Sequence, residues 1–265
     1  MAKPSVASAV AAVLLAAEPK DKIFAARSAA RDWRFGRLDH AFDRGMPDRP
    51  ARPVCPELRP PSEMPRRGKG GSERARIAML HALAHIEFVA IDLAFDLIGR
   101  FGNRFPREFV DDWMRVGSEE AMHFALLDRR LRHLGSAYGA LPAHDGLWES
   151  AETTAHDALA RLAIVPMVLE ARGLDVTPAT IDRFEKSGDD ISARILTRIM
   201  HDEIRHVGFG VKWFESRCKS ENVAPQQQWR TLVSRYFGGR LKPPFNDSAR
   251  RQAGLTRDFY LSLAS

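Results

Sequence analysis

Two short segments of the sequence each place a glutamate and a histidine three residues apart. Glu120 and His123 lie in "SEEAMHF", and Glu203 and His206 lie in "TRIMHDEIRHVGFG". On a helix such a pair shares one face, so both side chains can bind the same metal ion. The chain contains 15 Glu and 9 His, for which chance gives about half of one such pair. Two pairs are therefore somewhat more than chance predicts, and further ligands would be needed for a metal site.

Two further glutamates stand alone in apolar sequence. Glu87 lies in "LAHIEFVAIDLAF" and Glu170 lies in "AIVPMVLEARGL". Burying an unpaired carboxylate costs several kcal/mol, so each of them needs a cation nearby. Glu87 precedes Glu120 by 33 residues, and Glu170 precedes Glu203 by the same 33. The sequence thus contains two copies of one unit, a lone Glu followed by Glu-x-x-His.

Equal spacing has a geometric explanation if each unit is a helical hairpin. Two antiparallel helices joined by a short loop bring together residues that are equidistant from the turn. The midpoint of the first glutamate pair is Asn103, beside Gly102, and the midpoint of the second is near Ser187 and Gly188. Glycine and asparagine commonly end helices. We therefore expect two hairpins, each with its glutamates at one level.

Four glutamates and two histidines supplied by four helices form the two-metal site of ferritin-like bundles. Carboxylate oxygens together with imidazole suit Fe and Mn, and four carboxylates cancel the charge of two divalent cations. The sequence therefore predicts a site for two metal ions, iron or manganese, that reacts with O₂. The predicted metal ligands are Glu87, Glu120, His123, Glu170, Glu203 and His206.

Four neighbouring ionisable residues are predicted to orient these ligands. A metal-bound histidine usually donates its other ring N–H to a carboxylate. Asp202 and Glu119 each directly precede a Glu-x-x-His glutamate and could accept such a bond. Arg205 lies in the same segment as Asp202, and Arg172 follows Glu170 by two residues. An ordinary salt bridge is the alternative explanation for these side chains.

Three other ionisable residues near Glu87 are not expected to bind metal. His81 and His85 precede it by six and two residues, which correspond to about 240° and 200° of helical rotation. We expect these histidines at the surface or beside the ligands. Asp92 is expected either at the rim of the site or on the helix surface.

Helical periodicity throughout the chain predicts an all-α fold, a ferritin-like four-helix bundle with additions at both ends. Pro166 should kink the helix that carries Glu170 or divide it in two. The expected helices cover about 21–45, 72–101, 106–135, 149–173, 177–186, 189–217, 225–237 and 247–263.

Composition divides the chain into three predicted parts. Residues 1–71 form a helical extension followed by a strap from Met46 to Gly71, whose seven prolines leave no room for a regular element. Residues 72–220 form the two-metal bundle, and residues 221–265 form C-terminal helices that pack on it.

The formal net charge of +6 is concentrated near the N-terminus. Residues 1–75 contain 15 Lys and Arg against 9 Asp and Glu, whereas the remainder is balanced at 25 against 25. A basic region can bind nucleic acid. Such binding is not favoured here, because aromatic residues do not alternate with the charges as they do in single-strand binding surfaces.

Membrane association and export are not expected. The apolar run from Val6 to Ala17 is shorter than the ~20 residues needed to span a bilayer. Two cysteines are too few for a disulfide framework, which favours a reducing compartment. We expect a cytoplasmic protein.

Several segments resemble known di-iron proteins. "DEIRH", residues 202–206, resembles the D-E-x-R-H segment of bacterial multicomponent di-iron monooxygenases. A wider resemblance, over about residues 10–220, is to an uncharacterised bacterial ferritin-like family, the domain of unknown function DUF455. It is carried by "HALAHIEFVAIDLAFDLIGRF", "EEAMHFALLDRRLRHLGSAYGALPAHDGLWE", "RLAIVPMVLEARGLDVTP" and "DEIRHVGFGVKWF". This resemblance implies the bundle and its metal site but no reaction.

A more distant similarity is to di-iron tRNA hydroxylases, in which an E-A-R triplet also marks a ligand glutamate. Here the triplet is Glu170 to Arg172. The favoured function is an O₂-dependent oxidase or oxygenase that acts on an unknown small organic molecule, with an electron-donor protein as a partner. The alternatives are an iron-binding or ferroxidase-type protein without organic substrate, a tRNA-modifying hydroxylase and a metal-free helical scaffold.

Overall fold

The computed structural model describes residues 3–64 and 72–264. Within these residues all regular elements are helices, and β-pairing is limited to isolated bridges. The predicted all-α fold is confirmed. The chain forms two compact units, Met1–Trp148 and Glu149–Ser265, which are described in turn. The end of the predicted strap, 65–71 with Pro65, lies outside the described residues.

The first unit is built on a long helical hairpin. Its helices are α3 (Glu73–Phe101) and α4 (Arg107–His133), joined by a single 3₁₀ turn at Gly102–Arg104. Ser72 caps α3 because its side chain accepts a hydrogen bond from the amide of Ala75. The predicted turn at Asn103 is confirmed, since that residue lies at the centre of the 3₁₀ turn.

Two shorter helices, α1 (Val6–Leu15) and α2 (Pro19–Arg34), pack against this hairpin. The predicted helix over 21–45 is wrong beyond Arg34. Gly36 has a φ of 65°, and the amide of Arg37 donates to the carbonyl of Asp32. The left-handed conformation of Gly36 and this hydrogen bond, which joins residues five apart, terminate the helix.

The strap that follows contains no helix before the short 3₁₀ turn Pro61–Glu63, in agreement with its proline content. It is held to the unit by backbone hydrogen bonds instead. The amide of Ala51 donates to the carbonyl of Leu14, and the amide of Arg59 donates to the carbonyl of Ala143. The strap is therefore an ordered part of the first unit over its described length.

The helix α5 (Gly146–Thr153) spans the boundary between the units. The second unit then contains α6 (Ala158–Ile164), a π-helix (Val165–Glu170), α7 (Ala171–Lys186) and α8 (Asp190–Ser220). Three short helices follow in the second unit: α9 (Pro225–Tyr236), α10 (Asp247–Gln252) and α11 (Arg257–Tyr260).

The single helix predicted over 149–173 is wrong. α5 ends at Thr153, and Asp157 starts α6 by accepting hydrogen bonds from the amides of Leu159 and Ala160. The side chain of Asp157 competes with the helical backbone at this position, so the chain breaks here and restarts.

The helix predicted to begin at Thr177–Pro178 is also wrong, because Pro178 lies inside α7. Proline cannot donate to the carbonyl of Leu174, four residues earlier. The side-chain amide of Asn246 donates to that carbonyl instead, at 3.2 Å. A tertiary hydrogen bond thus compensates for the proline and allows α7 to continue.

α7 and α8 form a second helical hairpin. Its turn contains Ser187 and Gly188, where the sequence predicts it, and Gly188 has a φ of 73°. Asp189 caps α8 by accepting a hydrogen bond from the amide of Ser192. Both predicted hairpin turns are therefore confirmed.

One helical stretch of the described residues, Glu73–Arg104, is long and apolar enough by composition to cross a bilayer, since it contains an 18-residue window with a mean hydropathy of 1.6. Within the protein 67% of that window is buried. The apolar character of α3 therefore matches the central helix of a packed core.

Candidate metal centre

The first hairpin brings three predicted ligands together. Glu87 lies on α3, and Glu120 and His123 lie one turn apart on α4. Nδ1 of His123 is 3.3 Å from Oε2 of Glu87 and 3.3 Å from Oε2 of Glu120. One ligand atom from each residue lies within 4.8 Å of the other two. The equal distance from the turn does place the glutamates at one level.

These three side chains are buried. The relative exposures of Glu87, Glu120 and His123 are 6%, 1% and 0%. Burial and the neighbouring Glu120 carboxylate raise the pKa of Glu87 well above its usual value of 4.5. Two adjacent carboxylates in a dry interior repel each other strongly, so a cation between them would stabilise the arrangement.

The donor set fits a divalent metal ion. Two carboxylate oxygens and one imidazole nitrogen converge on a common point, a combination that suits Fe and Mn. Coordination through Nδ1 would leave Nε2 of His123 to carry the ring proton. The coarse prediction that a buried Glu and His cluster can hold a metal ion is therefore confirmed, while the identity and number of ions stay predictions.

The second hairpin carries the same pattern in a more open setting. Nδ1 of His206 is 3.3 Å from Oε1 of Glu203, with exposures of 0% and 13% for the two side chains. Glu170 is the last residue of the π-helix and is half-buried. The second hairpin thus contributes ligand candidates of the same type, and the convergence of all six ligands on one centre stays a prediction.

The segment before Glu170 differs from the predicted kink. Pro166 lies near the start of the π-helix, whose wider turns contain one extra residue. Gly210 of α8 makes room for it, because a Cβ on that glycine would lie only 2.5 Å from Cβ of Pro166. Sequence reasoning recognised the proline but not the π-helix. Such insertions occur frequently at functional sites because they alter the direction of one side chain.

The predicted orienting residues make several ion pairs. On α8, Asp202 accepts hydrogen bonds from Nε of Arg198 at 2.8 Å and from an Nη of Arg205 at 2.9 Å. On α4, Glu119 accepts from Nε of Arg115 at 3.1 Å. These pairs fix the rotamers of side chains beside the ligand positions. Their predicted bonds to metal-bound histidines stay predictions.

Arg172 is directed toward the C-terminal segment of the second unit. Its Nη1 donates to the carbonyls of Lys242 at 2.7 Å and Pro244 at 3.0 Å, and lies 3.6 Å from Asp175. These contacts give Arg172 a structural role in holding that loop. A role in orienting Glu170 stays a prediction.

Asp92 is neither a rim acid nor a surface acid, so that expectation is wrong. Its side chain is fully buried between Lys22, whose Nζ lies 2.5 Å from Oδ1, and Arg52, which binds Oδ2. Five residues on a helix correspond to about 140° of rotation, so Asp92 points away from the face of Glu87. Asp92 therefore attaches α2 and the strap to α3.

The second unit contains the counterpart of this ion pair. Asp175 follows Glu170 by five residues, just as Asp92 follows Glu87. The Asp175 carboxylate binds Nε and an Nη of Arg250, at 2.8 and 2.6 Å, in a buried bidentate pair. Equivalent positions of the two repeats are therefore 83 residues apart. The repeat includes the proposed ligands and also a buried aspartate that attaches an added segment.

His81 and His85 are buried, so the expectation of surface positions is wrong. Nε2 of His81 accepts from the amide of Gly139 at 3.0 Å, and Nδ1 of His85 lies 3.0 Å from the hydroxyl of Tyr138. Burial lowers the pKa of His81 to about 4. Burial and Arg52 lower the pKa of His85 to about 3. Both histidines therefore hold the loop after α4 in their neutral forms.

One protein family and one curated protein are similar to this chain. Residues 15–261 match the model of the family described as "Protein of unknown function (DUF455)". An uncharacterised protein of Haemophilus influenzae is 41% identical over 211 residues, covering 77% of this chain and 73% of that protein. No solved structure matches the chain. The chain therefore belongs to the DUF455 family of proteins of unknown function.

Proposed function

We propose that this protein is a di-metal carboxylate oxidase or oxygenase that uses O₂ to oxidise a small organic molecule. The observation that carries the proposal is the geometry of the first hairpin. There a buried imidazole nitrogen lies 3.3 Å from each of two buried carboxylates. Without a cation, the repulsion between the buried carboxylates of Glu87 and Glu120 would destabilise the core, so a purely structural role does not explain their placement side by side.

Internal duplication supports a second metal ion. The second hairpin repeats Glu and Glu-x-x-His at the same spacing, with Glu170, Glu203 and His206. Four carboxylates would then balance two divalent cations. This arrangement would resolve the repulsion between Glu87 and Glu120 in the first hairpin.

The bound ions would supply the redox chemistry, since two ferrous ions can deliver two electrons to O₂. Insertion of one oxygen atom into a substrate C–H bond, with the other oxygen released as water, consumes two electrons and two protons. A separate reductant must therefore restore the ferrous state before the next turnover. An electron-donor protein of the cell would fill this role.

Residues of the chain would control access and orientation. Glu87, Glu120 and His123 are buried, which would exclude water from an ion held by them. Glu170 and Glu203 are less buried, so a substrate would reach these two side chains more readily. The ion pairs of Asp202 with Arg198 and Arg205 would hold these three α8 side chains in one arrangement while the substrate binds.

Metal binding is tested first. We expect the purified protein to retain about two ions of iron or manganese per chain. Glu120→Gln and His123→Ala should each lower metal affinity more than about 100-fold, because loss of a direct ligand exceeds the 10–100-fold effect of outer partners. Glu108→Gln, on the exposed first turn of the same helix, is the matched control and should bind normally. Elemental analysis and chelator competition provide the measurements.

The redox proposal is tested on the iron-loaded, reduced protein. A single-turnover experiment should show O₂ uptake that is absent in Glu120→Gln and unaffected in Glu108→Gln. Retention of hundreds of irons per chain would instead indicate storage. Absence of any transition metal in the native protein, or full metal binding by Glu120→Gln, would contradict the proposed centre itself.

A further inference from the structure

A basic groove lies between α2 and α4 in the first unit, separate from the buried ligand cluster. It has a volume of about 1090 Å³. Six cationic side chains line it against only two carboxylates, those of Asp111 and Glu119. The six cations of the α2–α4 groove are Lys20, Arg27, Arg31, Arg34, Arg107 and Arg115.

Four of these cations form a continuous stripe on α2. Lys20, Arg27, Arg31 and Arg34 follow one another at intervals of seven, four and three residues, which keeps them on one face of the helix. At a rise of 1.5 Å per residue, the stripe extends over about 21 Å. A stripe of this length can contact several successive phosphates of one strand.

Little acidic charge neutralises this stripe. Lys20, Arg27 and Arg34 are exposed and make no ion pair with any of the residues that the structure describes. Both carboxylates of the groove have partners already. Asp111 accepts from the indole N–H of Trp33 at 2.7 Å, and Glu119 pairs with Arg115. The groove therefore has an excess of positive charge available to an anionic ligand.

Two exposed phenylalanines accompany the cations. Phe24, which lies on the same stripe, is 72% exposed, and Phe35 is 59% exposed. The guanidinium carbons of Arg34 and Arg37 lie 5.1 and 5.2 Å from the centroid of the Phe35 ring. On this face, aromatic side chains therefore do lie beside the charges, which the sequence-based argument against nucleic acid binding did not anticipate.

We propose that the α2–α4 groove binds single-stranded nucleic acid. Arginine side chains recognise phosphates in planar, charge-assisted geometry, and exposed aromatic rings provide surfaces on which bases stack. An acidic protein segment would satisfy the arginines but would leave Phe24 and Phe35 without a stacking partner. A duplex would present phosphates but no unstacked bases. The combination of both side-chain types therefore favours a single strand.

The electrostatic part is tested with a fluorescein-labelled, mixed-sequence RNA of about 12 nucleotides, within the usual range of single-strand site sizes. Fluorescence anisotropy should show binding by the full-length protein that weakens with salt. The double variant Arg27→Glu with Arg34→Glu should weaken binding at least about tenfold. It should also reduce the salt slope, the slope of the logarithm of the binding constant against the logarithm of the salt concentration, by about one to two. The control Arg240→Glu with Lys242→Glu makes the same charge change on exposed loop residues of the second unit and should bind as the wild type does.

The stacking part is tested with Phe24→Ala and Phe35→Ala. Each should weaken RNA binding about tenfold without changing the salt slope, because stacking is not an ionic contact. Equal loss with the control pair, unchanged binding by the Phe24→Ala and Phe35→Ala variants, or tighter binding of polyglutamate or of a duplex of the same sequence would overturn the proposal. A single-stranded DNA of the same sequence shows whether the 2′-hydroxyl contributes.

This inference does not depend on the metal centre. Glu120→Gln, which removes a proposed metal ligand, should bind the RNA probe as the wild type does. Absence of metal from the wild-type protein with retained RNA binding would therefore reject only the proposed centre of an oxidase. Loss of RNA binding in the groove variants with retained metal would leave that centre intact.

Discussion

The two hairpins carry the same ligand pattern in different settings. In the first hairpin the candidate ligands Glu87 and Glu120 are buried, and the loop after α4 is held over α3 by His81 and His85. In the second unit the candidate ligands Glu170 and Glu203 are half-buried, and Glu170 ends a π-helix. One duplicated pattern has therefore produced a buried pair of glutamates and a more exposed pair. The difference shows that the local sequence pattern alone does not determine how far its carboxylates are removed from water.

What the hairpins share is equally informative. Asp92 and Asp175 occupy equivalent positions, 83 residues apart, and each is buried in an ion pair with a cation from an added segment. Lys22 and Arg52 come from the N-terminal addition, and Arg250 comes from the C-terminal addition. Each addition is thus attached to its own hairpin through a buried aspartate that the duplication preserves.

The largest expected effects come from breaking these two attachments. Asp92→Asn and Asp175→Asn should each lower the free energy of unfolding by about 3–5 kcal/mol, because each leaves a buried cation without its counter-charge. Urea unfolding monitored by circular dichroism measures the loss. Asp190→Asn, in the first turn of α8, is a control on an exposed carboxylate that should change stability by less than about 1 kcal/mol.

A much smaller loss of unfolding free energy for Asp175→Asn than for Asp92→Asn would contradict the equivalence of the two buried ion pairs. It would show that the C-terminal segment depends less on its ion pair than the N-terminal one does. The paired design separates these cases, since both variants remove one negative charge and keep the side-chain volume.

An intermediate effect is expected where Gly117 and Gly210 allow a neighbouring helix to approach closely. A Cβ at Gly117 would lie 2.4 Å from the ring of Phe95, and a Cβ at Gly210 would lie 2.5 Å from Pro166. Gly117→Ala and Gly210→Ala should each destabilise the protein by about 1–3 kcal/mol through overpacking. Thermal unfolding followed by calorimetry is the measurement.

The contact of Gly210 with the π-helix predicts a difference in stability between the two glycine variants. Gly210→Ala should cost more than Gly117→Ala, because the Pro166 ring is fixed to the backbone whereas the Phe95 ring can rotate about its side-chain bonds. Gly208→Ala on the same α8 helix is the matched control, since its Cβ would lie 3.6 Å from the carbonyl of Ala253, an ordinary contact. This variant should be neutral or slightly stabilising, because alanine favours the helix. Equal losses at positions 208 and 210 would refute the close-packing explanation.

The smallest expected effect is a dependence on pH in the first hairpin. His81 is neutral in the folded protein, with its pKa lowered by burial from 6.5 to about 4. Its contribution to stability is therefore complete above pH 6.5 and is lost as the pH falls toward 4. The loss should be on the order of 1 kcal/mol after allowance for solvent screening.

His81→Gln isolates this effect. The glutamine side-chain oxygen can still accept a hydrogen bond from the amide of Gly139 but cannot take up a proton. Unfolding measured between pH 4 and 7 should consequently show a flatter profile for the variant. An identical profile for wild type and variant would show that the loop over the first hairpin is not held by a neutral His81.

Much of the chemistry could be predicted from residue type and spacing. The repeated Glu and Glu-x-x-His pattern, the 33-residue step and the two turns near Asn103 and Gly188 are local or periodic features. Helical geometry converts such features directly into shared faces and paired levels. For this reason the three ligand candidates of the first hairpin meet where the sequence predicts.

The failures have a common physical origin in contacts between residues that are distant along the chain. Pro178 remains inside a helix because Asn246 satisfies the carbonyl it leaves open, and Asp92 is buried because Lys22 and Arg52 supply the opposing charge. Gly210 allows Pro166 to sit against α8 within a π-helix. Periodicity and local propensity contain no information about such partners. The sequence by itself thus determines the helices, the turns and the types of ligand. The burial of each charge and the exposure of each hairpin depend on the tertiary structure, because they require contacts with side chains that are distant along the chain.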